Sequence, residues 1–242
     1  MRLRLFLTLA VPVACAAVFS RLGIWQLARL SERRAFNATL VTRLDSAPVP
    51  ALTLTSDTSL GHYRRVSASG VYLYDREVTY AGRSRHGSPG VDLLTPLRVN
   101  GSDTVVLVNR GWVYSPDAMA VQPRRWRERD SAAVLGFAET FGGLKASQSR
   151  AADTSHERMV RGLDRAVIER KVGLPVAAYV LVQTSDSEPH LDSIPVRLTL
   201  PALDEGPHGA YAVQWFSFAT IALAGGTLLF RAQRRQVNTT GI

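Results

Sequence analysis

Residues Ala210 to Phe230, AYAVQWFSFATIALAGGTLLF, contain no charged side chain. Coiled into a helix at ~1.5 Å per residue they reach about 31 Å, enough to cross the hydrocarbon core of a bilayer. Gly225 and Gly226 flatten one side of that helix, so a second helix can approach closely. The other end of the chain carries a second apolar run. From Leu5 to Phe19 every residue except Thr8 is apolar or small, and the character continues past Arg21 through Leu22, Ile24 and Trp25. This run also has the basic start, short apolar core and small residues (Ala14, Ala16, Ala17) of a cleaved signal peptide, so span and signal both stay open. Its Cys15 is the only cysteine, which leaves no intrachain disulfide, and Pro12-Val13-Ala14 before it makes a poor lipoprotein box.

A net charge of +9 would suit a nucleic-acid binder if it lay on one face. It lies at the ends instead. All 20 acidic residues fall between Glu32 and Glu205, where they nearly balance the basic ones, and the surplus comes from Arg2, Arg4, Arg21, Arg231, Arg234 and Arg235 beside the two apolar runs. Basic residues flanking spans predict contact with membrane lipid and no nucleic-acid partner. Arg21, Arg29, Arg33 and Arg34 nearly offset the tail arginines in the orientation count. The tails are nevertheless expected in the cytoplasm, because they are short and free of acidic residues whereas long domains translocate largely regardless of charge. Trp25 and Trp215 mark the domain-side ends of the spans, where indoles favour the headgroup region.

Between the spans, Leu27, Leu30, Phe36 and Leu40 keep a helical spacing until Pro48 and Pro50, so the first helix is expected to continue out of the bilayer. The period then changes to two. Strands are predicted at Arg65–Tyr72, Glu77–Ala81, Val91–Thr95, Thr104–Val108, Ala132–Glu139 and Ala177–Gln183, with a helix at Leu163–Lys171. Turns fall at Asp75-Arg76, Gly87 to Gly90 and Asn100-Gly101, and Gly142 to Glu157 is predicted as a mobile loop. The fold class is therefore a membrane protein of α+β type, two transmembrane helices flanking a strand-rich antiparallel extracytoplasmic domain built as a small sandwich or barrel. Its parts are a first transmembrane helix over residues 1–25, the β-rich domain over 26–207, a second transmembrane helix over 208–231 and a cytoplasmic tail over 232–242.

Enzyme chemistry finds little support. His62, His86, His156, His190 and His208 form no close pair and no HExxH, and there is neither a GxSxG elbow nor a phosphate-binding glycine loop. One cysteine and three methionines do not suit copper transfer. His208 stands apart, two residues before the second span. Spacings of three, four and three put His208, Tyr211, Trp215 and Phe218 along one helical face. Neutral histidine is a standard axial ligand of haem iron and the aromatics would pack on the macrocycle. The same residues also make an ordinary helix start beside an aromatic belt. Arg110, in Asn109-Arg110-Gly111-Trp112, suits a propionate or a partner's carboxylate, or equally an internal hydrogen-bond network.

Several of these stretches resemble the surfeit locus protein 1 family of cytochrome oxidase assembly factors. Leu22-Gly23-Ile24-Trp25-Gln26-Leu27-Ala28-Arg29 is similar to that family's motif after the first span. Tyr63-Arg64-Arg65-Val66, Gly70-Val71-Tyr72, Thr95-Pro96-Leu97 and Val106-Leu107-Val108-Asn109-Arg110-Gly111-Trp112-Val113 resemble its strand motifs. His208-Gly209-Ala210-Tyr211-Ala212-Val213-Gln214-Trp215-Phe216 resembles the opening of its second span, although many members have two asparagines where Gly206-Pro207 stand here.

The resemblance implies a non-enzymatic factor that helps haem a reach or stay in the catalytic subunit of a haem-copper oxidase. Haem a would bind transiently at His208, Tyr211 and Trp215, with His208 on the iron. The oxidase catalytic subunit and the haem a synthesis machinery are the partners it implies. A scaffold that binds oxidase subunits without haem uses the same two spans. With only a few residues before the first span there is no room for a transit peptide, so a bacterial plasma membrane is expected.

Overall fold

The computed structural model describes residues 2–55, 61–119, 121–142, 158–184, 195–200 and 203–239. Contacts divide the chain into two compact units, Met1–Thr39 with Ala202–Ile242, and Leu40–Pro201. The predicted loop from Gly142 to Glu157 lies, after Gly142, outside the described residues.

Helix α1 spans Arg2–Asp45, so the periodicity read through Leu27, Leu30, Phe36 and Leu40 does continue the first apolar run. The terminal helix spans His208–Thr239, and the Pro207 carbonyl accepts its first bond from the Tyr211 N–H at 3.0 Å. Both helices are long and apolar enough to cross a membrane, with mean hydropathy of 1.8 and 1.5 in their most apolar stretches.

Among its described residues the second unit carries eight strands: β1 (Val49–Pro50), β2 (Arg65–Tyr72), β3 (Val78–Arg85), β4 (Ser88–Val99), β5 (Val105–Tyr114), β6 (Ser131–Thr140), β7 (Met159–Val160) and β8 (Val176–Gln183). Their order is β1-β2-β6-β8-β5-β4-β3-β7, and a further pairing of β2 with β4 closes β2, β6, β8, β5 and β4 into a five-stranded barrel. Gly70 allows that closure, since a Cβ there would stand 2.0 Å from the Arg98 carbonyl oxygen. The interior collects alternate side chains from all five strands, among them Val66, Ala68, Leu97, Val106, Val108, Val134, Ala138, Tyr179 and Leu181. Opposite faces of the same strands, with Val105, Leu107 and Val180, pack on β3, β7 and helix α2 (Arg165–Val172). Asp164 caps that helix by accepting from the Val167 N–H, and Gly173 ends it in the left-handed region. The terminal helix is accordingly α3.

Strand positions agree with the period-two reading, but two expectations change. The domain was expected to be antiparallel, whereas β1–β2, β3–β7 and β5–β8 pair in parallel. Side-chain alternation records which face is buried and carries no information on the direction of the neighbouring strand. The predicted turn from Gly87 to Gly90 is instead His86-Gly87, both at positive φ, with Pro89 and Gly90 already inside β4. Proline and glycine read as breakers, yet each fits here. Gly90 leaves room for the Trp112 indole. Pro96 lies where β4 exchanges β3 for β2 as its neighbour, and its carbonyl accepts from Leu73, so its missing N–H faces that same gap.

Candidate functional site

Within the first unit, α1 and α3 pack along a seam whose α1 residues recur at intervals of three, four and seven. Near one end Thr8 donates to Gln233 at 2.9 Å, and Gly226 leaves space for the Pro12 ring, which a Cβ would meet at 2.6 Å. Farther along, Phe19 stacks on Trp215 with centroids 5.8 Å apart, Phe218 meets both rings edge-on, and Gly23 admits Phe216. Glycines in the seam thus set how closely the helices approach. At the next turn of α1, Gln26 Oε1 lies 2.8 Å from His208 Nδ1.

That contact decides what His208 can do. A carbonyl oxygen only accepts, so Nδ1 carries the proton and donates to Gln26, and in the neutral tautomer with this bond Nε2 is the nitrogen with the lone pair. Gln26 is itself buried at 8% exposure, which leaves its oxygen little competition from water. His208 is half-buried. Gly206, at φ +66°, stands beside the Nε2 edge, where a Cβ would lie 3.6 Å from that nitrogen, so the approach is free of a side chain at this position.

The segment leading to His208 is strapped to α1. Asn37 Nδ2 donates to the Leu203 and Asp204 carbonyls at 3.2 and 3.0 Å, and Arg33 Nε donates to the Asp204 carbonyl at 3.0 Å. Arg34 grips both oxygens of Glu205 at 2.8 and 2.9 Å, and these bonds hold the glutamate below its ordinary range. His208 is therefore tethered at its ring and through the backbone that precedes it.

Of the other predicted site residues, Tyr211 is 46% exposed on α3, and Trp215 is held in the aromatic triad with Phe19 and Phe218. Gln26 was missed by sequence reasoning. The signal was present: a glutamine at helical spacing among Phe19, Gly23 and Leu30 is a polar group in an apolar seam.

Arg110 resolves to the internal network. It is the extra residue of a bulge, since Leu93 pairs with Gly111 and Leu94 with Asn109, and Gly111 takes φ +128° to make it. The bulge turns Arg110 inward, fully buried near the Tyr72 and Tyr74 rings. Its guanidinium donates to Glu77 at 2.6 Å, Thr95 at 2.6 Å, Glu128 at 2.8 Å and the Trp126 carbonyl at 2.7 Å. Burial works against its charge, but Glu77 and Glu128 outweigh burial and raise its pKa. With its nitrogens so engaged and no surface exposed, Arg110 does not present itself to a propionate.

The sequence model of the SURF1 family matches residues 13–220, a stretch that includes Gln26, the barrel and His208. The chain belongs to the SURF1 family. A SURF1-like protein of Mycobacterium bovis is 30% identical over 240 residues, 96% of this chain and 86% of the relative. A SURF1-like protein of Rickettsia bellii is 26% identical over 224 residues, 91% and 88% of the two chains. The cytochrome oxidase assembly protein SHY1 of Saccharomyces cerevisiae is 30% identical over 109 residues, 44% of this chain and 28% of the yeast protein.

Proposed function

We propose that this SURF1-family protein is a non-enzymatic assembly factor for cytochrome oxidase in a bacterial plasma membrane. It takes haem a from the synthesis machinery and holds it near His208 for the catalytic subunit. Oxidase assembly is supported by the family and by the name of the yeast relative. The haem reading rests on one observation, the 2.8 Å contact of Gln26 Oε1 with His208 Nδ1.

The donor set suits an iron porphyrin. With the proton on Nδ1, the neutral ring would offer Nε2 to the iron, and the hydrogen bond through Nδ1 would raise its basicity. Gly206 places no side chain against the Nε2 edge, and Tyr211 exposes a ring that can lie against a macrocycle. Trp215, packed against Phe19, stiffens the helix pair below. Bound here, the haem would be held by His208 and would supply an iron that takes the Nε2 lone pair.

The test is the full-length protein purified from cells making haem a, as wild type and His208→Ala. The wild type is expected to carry haem absorbance, and the variant to lose both that absorbance and its support of oxidase activity. Equal haem content and oxidase activity in the two proteins would overturn the assignment of His208. Capture of oxidase subunits by a wild type that never shows haem absorbance would favour the haem-free scaffold.

A further inference from the structure

The stretch Gln122 to Asp130 reads Gln-Pro-Arg-Arg-Trp-Arg-Glu-Arg-Asp, and Arg124, Arg125, Arg127 and Arg129 are all exposed. An arginine-rich turn is ordinarily a solvated face. This one differs in how its charges are sorted. Glu128 is turned inward, where one carboxylate oxygen accepts from Arg110 at 2.8 Å and the other from Arg197. The stretch thereby loses a neutralising acid to the interior. Among the described residues no carboxylate forms an ion pair with any of the four arginines, and Asp130 is the one outward acid of the turn.

The turn is also held rigidly. Arg110 holds the Trp126 carbonyl, Tyr74 Oη accepts from the Glu128 N–H at 3.0 Å, and the Tyr72 N–H donates to the Asp130 carbonyl at 2.8 Å. Arg125 lies over the Trp126 ring at 5.6 Å and Arg127 over Tyr74 at 4.8 Å, so rings beneath them restrict two of the guanidiniums. Preorganised forks lose less entropy on meeting a carboxylate.

We infer that this turn is a docking surface for an acidic, carboxylate-bearing segment of a partner protein. It rests on the assembly reading above in taking the oxidase as that partner. A lipid surface fits less well. Arginines alone attract anionic headgroups only through screened charge, and the turn adds no apolar insertion, since Trp126 packs on the barrel cluster of Val91, Leu93 and Val113.

The full-length protein is placed in lipid nanodiscs and its association with the purified oxidase catalytic subunit is measured between low and high salt. Replacing the four arginines by serine is expected to weaken association about tenfold and to flatten its salt dependence, with the haem spectrum and melting temperature retained. The single variant Arg124→Glu, at an exposed position, is expected to weaken it by a smaller factor without threatening the fold. Association unchanged in both variants overturns the docking surface. A loss seen only in discs containing phosphatidylglycerol, and absent in phosphatidylcholine discs, overturns the protein partner in favour of lipid. A wild type that binds no oxidase subunit removes the assumed partner, and with it this inference, while the His208 absorbance test stands independently.

Discussion

In the proposed haem reading the proton on the second imidazole nitrogen needs an acceptor, and Gln26 stands in that place on the seam of α1. Gln26→Leu keeps the volume and removes the acceptor. Haem affinity in an absorbance titration is expected to fall roughly 10–100-fold while His208 remains, and an unchanged affinity would show that Gln26 does not orient the ring. Gly206 belongs to the same scale. Its φ of +66° is one that glycine adopts without the strain a Cβ would bring. In the barrel unit, Asp92 is buried and accepts from Arg83 at 3.1 Å and Asn109 at 3.2 Å. Burial nevertheless outweighs these partners and raises its carboxyl above the ordinary range, and burial does the same to Glu139. The folded chain holds these protons more tightly than the unfolded one. Their stabilisation is complete below the unfolded pKa values and is lost as pH rises through the folded ones. In thermal melts from about pH 4 to about pH 8, Asp92→Asn should gain stability relative to wild type as pH rises. A constant difference between the two curves would show that Asp92 does not titrate in this range.

Elements meet through glycines at two kinds of contact. In the helix pair, Gly23 and Gly226 let the backbones approach Phe216 and Pro12. In the barrel, Gly70 and Gly136 stand where a Cβ would lie 2.0 Å from the Arg98 oxygen and 1.9 Å from the Val182 oxygen. Backbone cannot yield to such an intrusion as a flexible side chain can. Gly70→Val should therefore cost at least about 1–3 kcal/mol in chemical denaturation of the detergent-solubilised chain. Ser69→Val, at the exposed neighbouring position, is the control expected to change little. Equal midpoints for the two variants would mean that the β2–β4 closure does not contribute to stability.

For the molecule as a whole, two membrane-crossing helices would put both tails on one side of the bilayer and the domain between them on the other, and the proposed reading puts the tails in the cytoplasm. A C-terminal green fluorescent protein fusion should fluoresce, and Tyr114→Cys, at a position 59% exposed on the barrel, should react with a membrane-impermeant maleimide added to spheroplasts. A dark fusion with an unreactive Tyr114→Cys would reverse the orientation. The sequence by itself determined the two long apolar helices, the run of strands and the family motifs, because hydropathy and side-chain period are sums over neighbouring residues. It also marked His208 by its place before the second apolar run. Only the tertiary structure decided that β5 and β8 run parallel, that β2 closes on β4, and that the Arg110 bulge buries its guanidinium. It alone brought Gln26 to His208 across 182 positions. Local patterns state which face of an element must be covered, whereas the group that covers it comes from a distant part of the chain, selected by packing and by the need of buried polar atoms for partners.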